Sequence, residues 1–173
     1  VEIPGADPPV RSDRFSRGHR LHGDQPLPID TADAYDDTLA AAGVIVDRKQ
    51  RAALIRSQLD ASADQLNGLP DCPESLFEEL VDLVESPRLL QGSIAERFLS
   101  LPPEVIITVM QAHQRYVPLK VPEVTPDPLQ LEAMGVLQRD FLLVGNGLEA
   151  ADALITRGNE RVLAARLADA EFF

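Results

Sequence analysis

The 173-residue sequence predicts an α+β fold, a small mixed sheet with flanking helices. Three observations lead there. Apolar residues recur at helical spacing between recognisable caps in several stretches. Short apolar runs of strand type lie between those stretches in mixed order. Only 5% of residues are aromatic and none is Trp, so the core rests on Leu, Ile, Val and Ala, which favours helix-rich packing. A chain of this length, 45% hydrophobic and 25% charged, can bury about 70% of its unfolded surface.

The opening VEIPGADPPV is proline-rich, and Arg11, Arg14, Arg17 and Arg20 then follow at intervals of three. Gly18 and Gly23 within that stretch fit an extended segment or hairpin arm better than a helix. Asp30 is expected to cap a helix with Ala32, Tyr35, Leu39 and Ala42 on its apolar face, ended by Gly43 at C′. Asp47 caps a second helix that carries Ile55, Leu59, Ala63 and Leu66 and stops at Asn67 and Gly68. Ser75 and Glu78 have the spacing of a capping box. The helix they predict presents Leu76, Leu80, Leu83 and Val84, reaches about Glu85 and stops before Pro87.

Arg88–Leu90 reads as a short strand and Ile94–Leu99 as one or two helical turns. Pro102 and Pro103 open a helix over Glu104–His113 whose nearly continuous apolar residues predict burial on more than one side. Tyr116–Leu119 leaves it as a strand. Pro118, Pro122, Pro126 and Pro128 mark a loop or protruding insertion at about 118–139, with a short helix around Leu129–Met134. Phe141–Val144 is a further strand, and Gly145, Asn146 and Gly147 a turn. Leu148–Thr156 forms a short helix, closed by Gly158 at C′. Asn159 then caps a terminal helix bearing Leu163, Leu167 and Ala170. These elements divide into an α+β domain, residues 1–147, and the start of a helical domain, residues 148–173, with the seam near Gly147–Gly158. Val1 in place of an initiating methionine, and a helix ending on Phe172 and Phe173, lead to the expectation of a piece of a longer polypeptide.

The formal net charge of −12 argues against a generic nucleic-acid surface, because phosphate affinity comes mainly from clustered Lys and Arg. Cys72 is the only cysteine, so no intrachain disulfide forms and a cytosolic origin is expected. No apolar run reaches the roughly 20 residues of a membrane span. His19, His22, His113 and Cys72 lack a paired metal-binding spacing, so no metal site is expected. Cys72 lies beside Asp71, whose charge raises a thiol pKa and opposes nucleophilic activation. The Gly145–Gly147 run lacks the rest of a phosphate-binding motif and reads as a plain strand-to-helix turn. Asp36 with Asp37, and Glu78 with Glu79, diverge by about 100° on a helix and read as solvated faces. The arginine strip is the dense positive cluster. It either meets a phosphate backbone or pairs internally with the surplus carboxylates.

Four strings carry a family resemblance: RFSRGHRLHG (Arg14–Gly23), FLSLPPEVIITVMQAHQRYVPL (Phe98–Leu119), FLLVGNG (Phe141–Gly147) and GNERVLAARLADAEFF (Gly158–Phe173). In order and spacing they resemble the β-subunit of the heterotetrameric bacterial glycyl-tRNA synthetase over nearly the whole chain. The resemblance implies a B3/B4-like domain running into the first helices of an all-α HD-like region, in a cytoplasmic ligase. It places the catalytic core, with ATP and Mg²⁺, in the separate α-subunit, and leaves this segment without catalytic, cofactor or metal residues. The implied partners are the α-subunit, the remainder of the β-subunit and tRNA-Gly, with no membrane. Editing has little work to do for the smallest amino acid. On this reading Arg14, Arg17, His19 and Arg20 are candidates to face tRNA, joined by His113, Arg115 as a phosphate contact and Tyr116 as a stacking surface. The competing readings are that HQRY closes a helix around a buried turn, that the segment serves assembly alone, and that it hydrolyses misacylated tRNA.

Overall fold

A strand that must bury both faces needs apolar residues at successive positions, not only alternate ones, and β8 (Leu137–Gly145) is built that way. Leu137, Phe141 and Leu143 point into one core, while Leu142 joins another on the opposite face. The computed structural model describes residues 2–3, 5, 10–122 and 137–171. Its contacts divide the chain into two compact units, residues 1–47 and 48–173. The stretch Gly147–Gly158, where the sequence places a domain seam, falls within the second unit.

The first unit holds two small antiparallel pairs. β1 (Glu2–Ile3) pairs with β2 (Val10–Arg11), and β3 (Phe15–Ser16) pairs with β4 (Leu27–Pro28). The extended segment or hairpin arm expected from Arg11 onward is present as two short arms, β2 and β3, with a loop after Ser16. A 3₁₀ turn (Ala32–Ala34) leads into α1 (Tyr35–Ala41), preceded by Thr31 and not by the expected Asp30 cap. Gly43 ends this segment at φ +79°, the left-handed C′ conformation that glycine adopts without a Cβ penalty. Only Leu39 of α1 is buried, so the apolar stripe is narrower than its spacing suggests, and Tyr35 stays 39% exposed.

The second unit is layered about a four-stranded sheet in the order β5 (Leu69–Pro70), β7 (Val117–Lys120), β8 and β6 (Arg88–Ser93), antiparallel throughout. On one face lie α2 (Arg48–Leu66) and α3 (Glu74–Leu83), whose Ile55, Leu59, Phe77 and Val81 pack with Val117, Leu119 and Leu142. On the other lie a 3₁₀ turn (Glu96–Ser100), α4 (Pro103–Thr108), a π-helical turn (Val109–Gln114) and α5 (Asp152–Ala170). Their Phe98, Ile106, Met110, Leu163 and Leu167 pack with Leu90, Phe141 and Leu143. The α+β class predicted from the sequence is the class observed.

Several local expectations change. Ser75 lies inside α3, which starts at Glu74 after an extended Pro73 whose carbonyl accepts from Phe77 N–H. Glu78 reaches Arg48 instead of an N-cap amide. The helix predicted over Glu104–His113 widens into the π turn after Thr108. Of the proline-rich stretch, Pro118 lies within β7 and Leu137–Arg139 within β8, while Pro126, Pro128 and the helix expected at Leu129–Met134 lie outside the described residues.

The largest correction concerns the GNER string. No break occurs at Gly158: after a 3₁₀ turn (Glu149–Ala151), α5 runs unbroken from Asp152 through Gly158 and Asn159 to Ala170. Asn159 is not an N-cap; its amide donates to the Ile155 carbonyl one turn earlier at 2.8 Å, and its Oδ1 accepts from Tyr116 Oη at 2.7 Å. Glu160 Oε1 accepts from Ser93 N–H at 2.8 Å, and Asp152 takes the Arg88 guanidinium. Residues 152, 159, 160, 163 and 167 share one helical face. Its N-terminal half is polar, because it answers polar groups on β6 and just before β7.

Gly158→Ala is expected to raise stability by about 0.5–1 kcal/mol, because glycine within a helix is entropically costly and a Cβ there meets nothing within 4 Å. At Gly92 a Cβ would lie 2.6 Å from Phe141 Cζ, and Gly92→Ala should cost about 1–3 kcal/mol by overpacking. Urea unfolding checks both; a loss of stability in Gly158→Ala would speak for a break at that position.

Candidate functional site

The candidate residues fall in two patches, one in each unit. In the first unit the RGHRLHG segment folds over the C-terminal end of α1. His19 N–H donates to the Ala42 carbonyl at 2.9 Å, and His22 N–H to the His19 carbonyl at 2.8 Å. Gly18 permits this approach, since a Cβ there would lie 2.5 Å from Ala42 Cβ. The His19 ring is 1% exposed. Its Nδ1 accepts from Leu21 N–H at 3.3 Å, which places the proton of the neutral ring on Nε2. Nε2 has no partner among the described residues.

His19 is thus an internal anchor for the loop and not a surface contact, which removes it from the RNA-facing candidates. The signal available in the sequence was Gly18 immediately before it. The arginines around it behave differently. Arg14 is exposed, and its guanidinium donates to the Asp30 carbonyl at 3.2 Å. Arg17 and Arg20 are exposed, and no salt bridge among the described residues includes either. The ion pairing weighed for the strip therefore does not occur at Arg14, Arg17 or Arg20 among those residues. Phe15, not singled out in the sequence, and Tyr35, expected there only on the apolar face of α1, stand 58% and 39% exposed and line one cavity.

In the second unit His113 is exposed on the π turn. Arg115 follows with φ +56°, a left-handed residue that ends the helix as glycine often does. Its Nε donates to Glu79 at 2.7 Å and its Nη1 to the Ala112 carbonyl at 2.6 Å. The guanidinium is therefore engaged in holding this turn to α3. Tyr116, expected as a stacking surface, is 3% exposed and stacks on Phe141 with ring centroids 5.0 Å apart. Burial pushes its phenol from 10.0 up to about 12. The reading of HQRY as a helix closure around a buried turn describes Arg115 and Tyr116.

Other constellations resolve as structure. Cys72 is pushed up to about 11, first by burial and only secondarily by Glu74 and Asp71, with Arg56 opposing; the thiol is protonated at neutral pH. Asn146 Oδ1 accepts from Glu85 and Ser86 N–H at 3.2 and 2.9 Å, so the Gly145–Gly147 turn closes the segment after α3. Glu78 and Asp82 both bind Arg48, and this contact, led by its hydrogen bond, lowers the Asp82 carboxyl below its usual range. Among the described residues no group of three His, Cys, Asp or Glu could hold a metal ion, and no helix is long and apolar enough to cross a membrane.

The second unit is thus an α+β domain built on a four-stranded antiparallel sheet, and the first carries an arginine-bearing loop with a buried histidine at its centre. Residues 2–173 match the family described as glycyl-tRNA synthetase beta subunit, and the chain belongs to that family. It is 43% identical over 165 residues to the glycine–tRNA ligase beta subunit of Psychromonas ingrahamii, covering 95% of this chain and 22% of the relative. It is 39% identical over 173 residues to that of Gloeothece citriformis, covering 100% and 23%. With the protein from Natranaerobius thermophilus the identity is 38% over 164 residues, covering 95% and 22%. The chain thus spans about a quarter or less of the length of these relatives.

Tyr116→Phe should lower stability by about 1 kcal/mol through loss of the hydrogen bond to Asn159. The folded phenol titrates above the unfolded one, so its contribution is complete below pH 10 and is lost as pH rises toward 12. Ultraviolet titration should show a tyrosinate transition near pH 12 that is missing in Tyr116→Phe.

Proposed function

We propose that this chain is a non-catalytic tRNA-contacting and structural module of a glycine–tRNA ligase beta subunit. On this reading it supports ATP-dependent attachment of glycine to tRNA-Gly in the cytoplasm, with the chemistry, ATP and Mg²⁺ in the α-subunit. Its partners are that subunit, the remainder of the β-subunit and tRNA-Gly. The observation that carries the reading is the exposure of Arg17 and Arg20 without a carboxylate partner among the described residues, on a loop fixed by His19. Exposed guanidinium groups on a backbone that is already tied down suit a phosphate backbone, because only side-chain ordering is then lost on contact. Arg14 belongs with them, and His113 is the exposed candidate of the second unit. In sequence terms the α+β part is a B3/B4-like domain, and α5 leads toward an HD-like helical region.

A second reading is a pure assembly module, favoured by the outer side of α5, where Leu154 is 69% and Val162 45% exposed. The protonated Cys72 thiol leaves a hydrolytic editing role without that nucleophile.

In the intact ligase, Arg17→Glu with Arg20→Glu should raise the KM for tRNA about tenfold or more, since two phosphate contacts become repulsive. Glycine-dependent ATP–pyrophosphate exchange should stay near the parent rate. Unaltered tRNA kinetics would leave the assembly reading in possession.

A further inference from the structure

Beside the arginine loop, the β3–β4 hairpin and the start of α1 enclose a cavity of about 390 Å³, a size within the roughly 300–1,000 Å³ of small-ligand pockets. Arg14, Phe15, Ser16, Asp30, Thr31 and Tyr35 line it. Two features set it apart from an ordinary surface groove. Both of its aromatic side chains are substantially exposed, Phe15 at 58% and Tyr35 at 39%. And its charges are of both signs: the Arg14 guanidinium is held at the cavity by the Asp30 carbonyl, while no hydrogen bond or salt bridge among the described residues uses the exposed Asp30 carboxylate.

That combination selects among ligand chemistries. A free phosphate would gain nothing from two aromatic rings and would be repelled by Asp13 and Asp30. An acyl chain would leave the carboxylates and the guanidinium unanswered. An unpaired nucleobase satisfies all of them: it offers a π-face for the rings, N–H donors on its Watson–Crick edge for a carboxylate, and a flanking phosphate for an arginine. Guanine fits the acceptor best, because its N1–H and N2–H₂ are adjacent donors that match the two oxygens of one carboxylate. Arg17 follows one residue after β3, within about 7 Å of chain from Phe15 at roughly 3.3 Å per residue.

We propose that this cavity takes one unstacked guanine of a single-stranded RNA segment, stacked on Phe15 and Tyr35, with its donor edge on Asp30 and its neighbouring phosphates on Arg14 and Arg17. The site deepens the tRNA-contact reading and rests on it. It assigns to Phe15, Tyr35 and Asp30 a part in recognition, and it divides the patch into a base pocket and a phosphate track.

The test uses the intact ligase and measures tRNA affinity against salt concentration. Phe15→Ala with Tyr35→Ala should weaken binding by roughly 5- to 150-fold, the usual range for a base–aromatic stack, without changing the slope of log Kd against log salt, because no phosphate contact is lost. Phe15→Tyr with Tyr35→Phe keeps both rings and should bind as the parent does, which separates a stacking loss from a folding loss. Single-stranded hexanucleotides of uridine carrying one guanosine should bind better than those carrying one inosine or adenosine, and Asp30→Asn should abolish the difference. If Arg17→Glu with Arg20→Glu weakens tRNA binding while the alanine pair does not, the base pocket is wrong and the phosphate contact stands. If neither pair has an effect, both fall. Equal binding of the three hexanucleotides would overturn the assignment of guanine.

Discussion

The second unit depends on the close approach of Phe141 to Gly92 across the β6–β8 pair. The two are register partners, and the Phe141 ring occupies the space where any Cβ at position 92 would stand. The ring is fully buried and is stacked by Tyr116. Truncating such a phenylalanine costs about 3–5 kcal/mol, a large share of the 5–15 kcal/mol that holds a domain together. The arrangement also fixes direction. With Phe141 committed to one face, strand alternation sends Leu142 to the other, and two cores form on one sheet.

Tyr116 links that packing to α5. Its ring belongs to the apolar core, and its hydroxyl reaches Asn159, which in turn bonds back to Ile155 within the helix. Glu160 on Ser93 and Asp152 on Arg88 add two more polar ties to the same helical face. Carboxylates that accept from backbone amides and guanidinium groups are stronger and more directional than neutral pairs. They set the position of α5 along the sheet, which Leu163 and Leu167 alone would leave less defined.

The first unit solves a different problem with similar means. A buried histidine and two glycines in close contact, Gly18 against Ala42 and Gly43 against His22, bind a loop with little apolar residue content to the end of α1. The consequence is that Arg17 and Arg20, on either side of the buried His19, are exposed. On the proposed reading, recognition rests on exposed side chains whose backbone is fixed by residues that never meet the ligand. Arg115 shows the converse, a cation whose sequence neighbourhood suggested recognition but whose bonds to Glu79 and Ala112 secure a left-handed turn.

By itself the sequence determined the α+β class, the positions of α1, α2 and α3, the apolar strand residues and the membership in a family of synthetase subunits, because these follow from periodicity, from turn residues and from long specific strings. It did not show the continuity of α5, the true start of α3 at Glu74, the burial of His19 and Tyr116 or the bonds of Arg115 to Glu79 and Ala112. The physical reason is the same in each case. A polar residue in a sequence announces that it will be hydrogen-bonded, but not to what. Gly158 and Asn159 look like a break until Tyr116 is seen on the other side of the interface, and His19 looks like a surface ligand until Ala42 is found against Gly18. Partners distant in the chain, brought together only by tertiary structure, decided which polar groups hold the fold and which are left to act on something else.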